Sequence, residues 1–362
     1  MYNNRLKIRD EVIENLSIWT KLDSGVIREN LNNFKNMERV NNLLDLEIIP
    51  PFEAIARRLL HKILLYSPKK YRYKITDSVK KLRQLIRKDL IEIPHCIFVE
   101  IYLDLIKRLN AIPLQWKGYK ACVCLTHDID SKDDYEFINK LSGLEKQFNV
   151  RSTYNFLTNW EYRVDPTLLK ELSENHFEIG LHGWTHDIAL GCRDKSRIKS
   201  ELTRALEELN FPVKGFRAPA FSITKTLIEV LAELDIKYDS SMKTLSCYGQ
   251  GVETPYPYKY PGIDIWEIPV TIQDDRIFRD LHLSCEEGLG VMKELTMRTK
   301  EVGGVTVINS HPRLVKIKFR FYEELLNWLV QQSDILICPM EEVVDLMERR
   351  VKEFKECSSK VK

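Results

Sequence analysis

Four short segments of the chain concentrate side chains that bind metals or move protons. They are Thr126-His127-Asp128-Ile129-Asp130, His182-Gly183-Trp184-Thr185-His186, Arg217-Ala218-Pro219 and Ser310-His311-Pro312. His182 and His186 are four apart, so one helical turn or a tight loop lets both imidazoles reach a single ion. Neutral imidazole is the commonest metal ligand. Asp128 and Asp130 are two apart, so in an extended segment both carboxylates point to one side and Ile129 to the other. Two imidazoles and one carboxylate leave a position open for water or substrate, as a catalytic zinc site requires. The second carboxylate is then free to act as a base. An H-x-x-x-H pair alone would fit a capped loop or core histidines. Together with D-x-D and a distant histidine at matching strand ends, it points to a metal site.

Such groups must be held by regular elements. From Ala121 the pattern is strand, loop, helix, repeated. Strands are expected at 121–126, 152–157, 177–181, 213–216, 236–240, 265–270, 305–309 and 335–338. Helices are expected at 134–148, 166–175, 196–209, 224–234, 286–302 and 321–331. This alternation argues for a parallel sheet, open or closed into a barrel. All four motifs follow expected strands, and in a (β/α) barrel the carboxyl ends of the strands share one rim. No G-x-G-x-x-G follows the first strand, which lowers the dinucleotide-binding reading. No G-x-x-x-x-G-K-[ST] phosphate loop occurs either.

These motifs resemble those of the polysaccharide deacetylase family, carbohydrate esterase family 4, over residues 120–338. The resemblance implies a distorted (β/α) barrel of about seven strands. It also implies removal of N- or O-acetyl groups from sugars with a divalent metal. Zinc is the first expectation; cobalt, manganese, nickel and iron are the others. The family's first motif commonly has adjacent carboxylates. Here Ile129 separates them, as in a variant group with an H-D-x-D form. The resemblance assigns Asp128 as base and Asp130 as ligand, with an exchange of roles left open by the spacing. His182 and His186 match the family's H-[ST]-x-x-H ligand pair, with Gly183 in the Ser/Thr position. Arg217 matches the third motif, whose arginine holds the base ionised. Ala220 stands where an aromatic is usual and implies a backbone oxyanion donor. Asp264 and Trp266 loosely match a fourth motif that supports the arginine and walls the pocket. His311 matches the histidine that protonates the leaving group. Asn155 reads as structural, and His127, alternating opposite Asp128, as a residue packed behind the site. His61, His95, His176 and His282 have no companions and read as surface or core residues.

The remaining sequence sets the frame. The chain has 362 residues, 44% hydrophobic and 30% charged, with a formal net charge of +2. Disorder is excluded, and the charge balance gives no reason to expect nucleic acid. No apolar run reaches the roughly 18 residues of a membrane span. Residues 1–5 lead into a charged segment with no apolar core, so no export signal and a cytoplasmic location are expected. None of the eight cysteines forms a C-x-x-C pair, so core thiols are expected rather than a zinc cluster or disulfides. Three divisions follow: a helical extension at 1–117, the barrel at 118–345 and a helical tail at 346–362. Helices are expected near 57–63 and at 79–90. Residues 57–88 hold twelve Lys or Arg and one acid, Asp77. That stretch reads as a solvated face or as a basic patch for phosphates or an anionic membrane. The expected partner is an acetylated sugar or a lipid-linked glycan; nothing addresses oligomeric state. The rival readings are a metal-independent amidase of this fold acting on cyclic amides, a non-haem iron oxygenase, and a catalytically silent carbohydrate-binding or assembly protein.

Overall fold

The computed structural model describes residues 9–31, 58–62, 66, 97–244, 252 and 254–360. Among the described residues the bounded helices before the first strand are α1 (Asp10–Thr20), α2 (Ser24–Leu31) and α3 (Ile97–Leu109). Strand and helix then alternate. The strands are β1 (Ala121–Ile129), β2 (Thr153–Leu157), β3 (Glu178–Gly183), β4 (Gly215–Phe216), β5 (Tyr238–Asp239), β6 (Tyr258–Lys259), β7 (Trp266–Glu267), β8 (Val270–Gln273), β9 (Val305–Ser310) and β10 (Ile335–Ile337). The helices are α4 (Lys132–Gln147), α5 (Pro166–Glu174), α6 (Lys195–Leu209), α7 (Lys225–Glu233), α8 (Cys285–Glu301), α9 (Pro312–Ile317), α10 (Phe319–Val330) and α11 (Met340–Lys360). Five of the crossover helices start where the sequence supplies a cap. Ser131, Asp165, Asp194, Thr224 and Ser284 each accept a backbone N–H of the first turn. Each such cap is worth about 1 kcal/mol.

The sheet is mixed α/β, curled and almost wholly parallel, in the order β6-β7-β5-β4-β3-β2-β1-β9-β8. β10 pairs with the foot of β1, and β6 is antiparallel to β7. A parallel bridge between Lys243 and Val270 links the end of the β5 arm to β8 and draws the sheet toward a barrel. The expected strand 265–270 is two strands, β7 and β8, with Pro269 between them. Proline cannot donate to a ladder, so the run breaks there and resumes for four residues. Expected helix 79–90 and most of the basic stretch lie outside the described residues; 58–62 are helical. The helices before β1 share one apolar core with the barrel. Trp19 Nε1 donates to the Pro257 carbonyl at 2.8 Å and Trp116 Nε1 to that of Gly303 at 2.9 Å. One continuous helix, α11, runs through 345 and 346, where the tail was expected to begin. Its Arg350 bonds the carbonyls of Ile18, Trp19 and Ile112. No helix among the described residues is long and apolar enough to cross a membrane.

All nine residues of β1 are buried, as in a central parallel strand covered on both faces. Alternation then divides the strand's chemistry. His127 points outward, bonding Glu145 of α4 at 2.9 Å and Ser310 Oγ at 2.8 Å, with Tyr322 of α10 alongside. Cys122, Cys124, Thr126 and Asp128 share the opposite, inner face.

Glu178 begins β3 and is fully buried. Burial, and then the Glu341 carboxylate, push its carboxyl from 4.5 up to about 7, against hydrogen bonds donated by Thr153, Tyr238 and the Glu341 N–H. A group with a raised folded-state value holds more protons in the native chain than in the unfolded one between those two values. Its contribution is present below pH 4.5 and is lost as pH rises through 7. Glu178→Gln turns an NH2 onto one set of these donors, so it carries a pH-independent cost, but its stability relative to wild type should improve by up to about 3 kcal/mol between pH 5 and pH 8. Denaturant titrations at the two pH values check this; equal differences at both would refute it.

Candidate active site

Asp130 lies one residue beyond β1, His182 is in β3, and His186 is in the loop that follows. Asp130 Oδ1 is 3.2 Å from His182 Nε2 and 3.4 Å from His186 Nε2. One ligand atom from each of the three lies within 4.8 Å of the other two. Asp130 Oδ1 is buried and has no hydrogen-bond partner, so the two imidazoles are near it without proper alignment. An orphaned anionic oxygen facing two nitrogens fits a shared cation. His182 Nδ1–H donates to the Arg217 carbonyl at 2.7 Å, which leaves the Nε2 lone pair for the ion. Burial alone would lower the His182 pKa, but Asp128 and Asp130 outweigh it and raise it. A cation and a proton therefore compete for the same place.

The second carboxylate has different neighbours. Asp128 Oδ1 accepts from Asn155 Nδ2 at 2.9 Å and lies 3.4 Å from Arg217 Nη1. Burial would raise its pKa, but Arg217, His182 and His311 together hold it below the ordinary value. Arg217 is wholly buried. Its Nε and Nη2 reach the carbonyl and hydroxyl of Ser240, and Nη1 reaches Thr126 Oγ1 at 2.7 Å. The guanidinium is thus fixed on three sides before it meets Asp128.

His311, the residue after β9, faces Asp130, with Nε2 3.3 Å from Oδ2. Asp274, just past β8, grips it twice: the His311 N–H donates to Oδ2 at 2.6 Å, and Nδ1 is 2.8 Å from Oδ1. Burial opposes the imidazolium and Arg313 adds to that, but Asp274, Asp275 and Asp130 prevail, and the His311 pKa is raised well above its usual value. Arg313 pairs with buried Asp134 at 2.6 Å and lies 3.5 Å from Asp130 Oδ2.

Two glycines make this geometry possible. Gly183 has φ +126°, where an L side chain is strained. The loop behind it is held by Asp187, which accepts the Ala189 N–H and two bonds from Arg193. Gly180 lies beside Asn155 in the β2–β3 register, as Asn155 lies beside Asp128 in β1–β2. A Cβ on Gly180 would sit 2.2 Å from Asn155 Oδ1. Gly180→Ala should push Asn155 off Asp128 and cost about 1–3 kcal/mol by overpacking, read by denaturant unfolding. An unchanged midpoint would show that Asn155 is not held there.

Not every expected residue comes to the cluster. Trp266 is buried against α11, its Nε1 2.5 Å from Glu348, so it is core and does not wall the site. Asp264 has a side chain 88% exposed and pairs with Lys259, away from Arg217. Ala220 lies in the exposed turn after Arg217 with φ +50°, followed by Phe221 at φ +54°. The aromatic of this turn is therefore Phe221, with the Lys243 ammonium 4.9 Å from its ring centre. Asn155, read from the sequence as structural, bonds the Asp128 carboxylate, and Asp274 was not anticipated. Asp274 ends a strand that Pro269 conceals, and Asn155 is a plain amide whose partner lies on another strand.

Residues 117–238 match the polysaccharide deacetylase family model. That segment carries Asp128, Asp130, His182, His186 and Arg217, but not Asp274 or His311. No curated protein matches the chain. Among solved structures, a candidate polysaccharide deacetylase from Mycobacterium smegmatis aligns at 19% identity and TM-score 0.57, covering 66% of this chain and 94% of its own. A second, from Pseudomonas aeruginosa, aligns at 16% identity and TM-score 0.54, covering 68% and 97%. At these identities the likeness is one of fold. A pseudoenzyme of carbohydrate esterase family 4 from Bacillus anthracis aligns at 15% identity and TM-score 0.42, over 62% and 66%.

Proposed function

We propose that the chain is a metal-dependent hydrolase that removes an acetyl group, N-acetyl rather than O-acetyl, from a sugar or glycan. The observation that carries this is the division of labour between two carboxylates: Asp130 faces two histidines and Asp128 faces an arginine. The family match over 117–238 supports the same chemistry.

Asp130, His182 and His186 would hold a divalent cation; zinc suits this donor set, and cobalt, manganese, nickel or iron could replace it. When bound, the ion supplies Lewis acidity toward a carbonyl and a more acidic water. Asp128, ionised beside Arg217, accepts a proton from the attacking water. His311, kept protonated by Asp274, gives its proton to the departing nitrogen. An amine leaves only when protonated, whereas an alkoxide needs less help, which favours N-acetyl over O-acetyl. We also propose a cytoplasmic, soluble or lipid-linked sugar as substrate. The basic stretch at 57–88 would then contact an anionic membrane, read as salt-sensitive liposome binding.

The test is metal analysis of the purified chain and acetate release from N- and O-acetylated sugars. Chelation should lower acetate release by about 10²–10⁴-fold, the several kcal/mol a catalytic ion supplies, and added Zn²⁺ should restore it. His182→Ala should lose both the metal and turnover. Full activity in metal-free His182→Ala would leave the metal-independent amidase instead.

A further inference from the structure

A second cluster of ligand atoms lies deeper in the barrel. Cys122 and Cys124 lie on the inner face of β1, below Thr126 and Asp128. Cys338 follows β10, and its N–H donates to the Val123 carbonyl at 3.2 Å. The three thiols are 0%, 0% and 2% exposed, and their sulfurs all lie within 4.8 Å of one another. The Cys122 and Cys338 sulfurs are 3.2 Å apart, well outside the roughly 2.05 Å of a disulfide. With metal–sulfur bonds of about 2.3 Å, three thiolates around one ion stand about 4 Å apart. The cluster has nearly that spacing already.

We propose that Cys122, Cys124 and Cys338 form a structural centre for a divalent thiophilic cation, Zn²⁺ or Cd²⁺, separate from the catalytic cluster. Chance packing of core thiols explains one buried cysteine. It does not explain three converging from two strands some two hundred residues apart in sequence. Burial pushes the Cys122 thiol up; it also opposes the Cys124 thiolate, but hydrogen bonds from Cys122 and Cys338 outweigh it and bring Cys124 down to about 6. At neutral pH, binding one divalent ion therefore displaces about two to three protons and leaves one net negative charge. A monovalent ion would leave two negative charges in a space that solvates them poorly, which favours the divalent ion. The centre would clip the residue preceding Pro339 and α11 to the first strand. Since Arg350 of α11 also binds α1 carbonyls, the clip would secure both ends of the described chain.

The proposal does not depend on the deacetylase reading, and its test keeps the two apart. Full-length His182→Ala protein, reduced with a phosphine, is titrated with Cd²⁺ while thiolate-to-cadmium absorption, proton release and unfolding temperature are followed. The expected result is a band saturating at one equivalent, with about two to three protons released per ion at neutral pH and a higher unfolding temperature. Cys124→Ala and Cys338→Ala should each abolish the band, and exposed Cys285→Ala should not. No band in protein with all its cysteines overturns the proposal, whether or not the variants fold. So does a band of unchanged size in both Cys124→Ala and Cys338→Ala.

Discussion

Asp130→Asn is expected to lose the metal, whereas Asp128→Asn keeps it and loses turnover, although the two carboxylates are only two residues apart. The sequence left their roles exchangeable, because both point to one side of the strand. Their surroundings differ. Asp130 Oδ1 has two imidazole nitrogens within 3.4 Å and no hydrogen bond. Asp128 Oδ1 already has the Asn155 amide and the Arg217 guanidinium. A cation on Asp128 would have to sit against Arg217, which is buried and pinned by Ser240 and Thr126. Like charges that close are strongly unfavourable in a poorly solvated site. Asn at 128 can still accept from Asn155 and Arg217 through its amide oxygen, so the fold tolerates it. It cannot take a proton, and a missing general base costs about 10²–10⁴ in rate. Metal analysis beside acetate-release rates for both variants decides the matter. Metal loss in Asp128→Asn with retention in Asp130→Asn would exchange the two roles.

Some of this was legible in the sequence and some was not, for physical reasons. Asp128, Asp130, His182, His186, Arg217 and His311 stood out because ionisable residues are rare at buried strand ends, and a parallel barrel brings such ends to one rim. The structure brings all six together. Side-chain direction within a strand was also legible, so His127 could be placed behind the site by alternation. What failed were inferences across breaks in the ladder. Pro269 split one expected strand into β7 and β8, which hid Asp274 and left Trp266 and Asp264 on the wrong side of the break. Asn155 read only as structural because its contact with Asp128 comes from register: Gly180, one strand away, leaves it room to reach that carboxylate. The cysteines were hidden by distance, since Cys338 meets Cys122 only through the pairing of β10 with β1.

Asp274→Asn should lower kcat about as far as a missing general acid does, 10²–10⁴-fold, while metal content and KM stay near wild type. Asp274 acts through His311, as a positioning and charging residue. Its two oxygens take the backbone N–H and face Nδ1, which fixes both the ring and its protonation. Asp274 Oδ1 also accepts the Asp275 N–H at 2.6 Å, so an amide can satisfy only one side. With its oxygen on the His311 N–H it turns an N–H on Nδ1 and makes that nitrogen an acceptor; with its oxygen on Nδ1 it offers no charge to hold the imidazolium, so either way the ring becomes neutral. A neutral imidazole holds its proton far more tightly than an imidazolium does, so the acid is lost although the ring is in place. Burial, which already opposes the charged ring, now prevails over the remaining carboxylates. The limb of the pH–rate profile on which activity falls with rising pH should therefore move to lower pH. The loss should also be larger for an N-acetyl than for an O-acetyl substrate, because the nitrogen depends on the proton and the alkoxide less so. Equal losses on both substrates with an unmoved limb would assign Asp274 a purely structural role and leave the leaving-group proton to another donor.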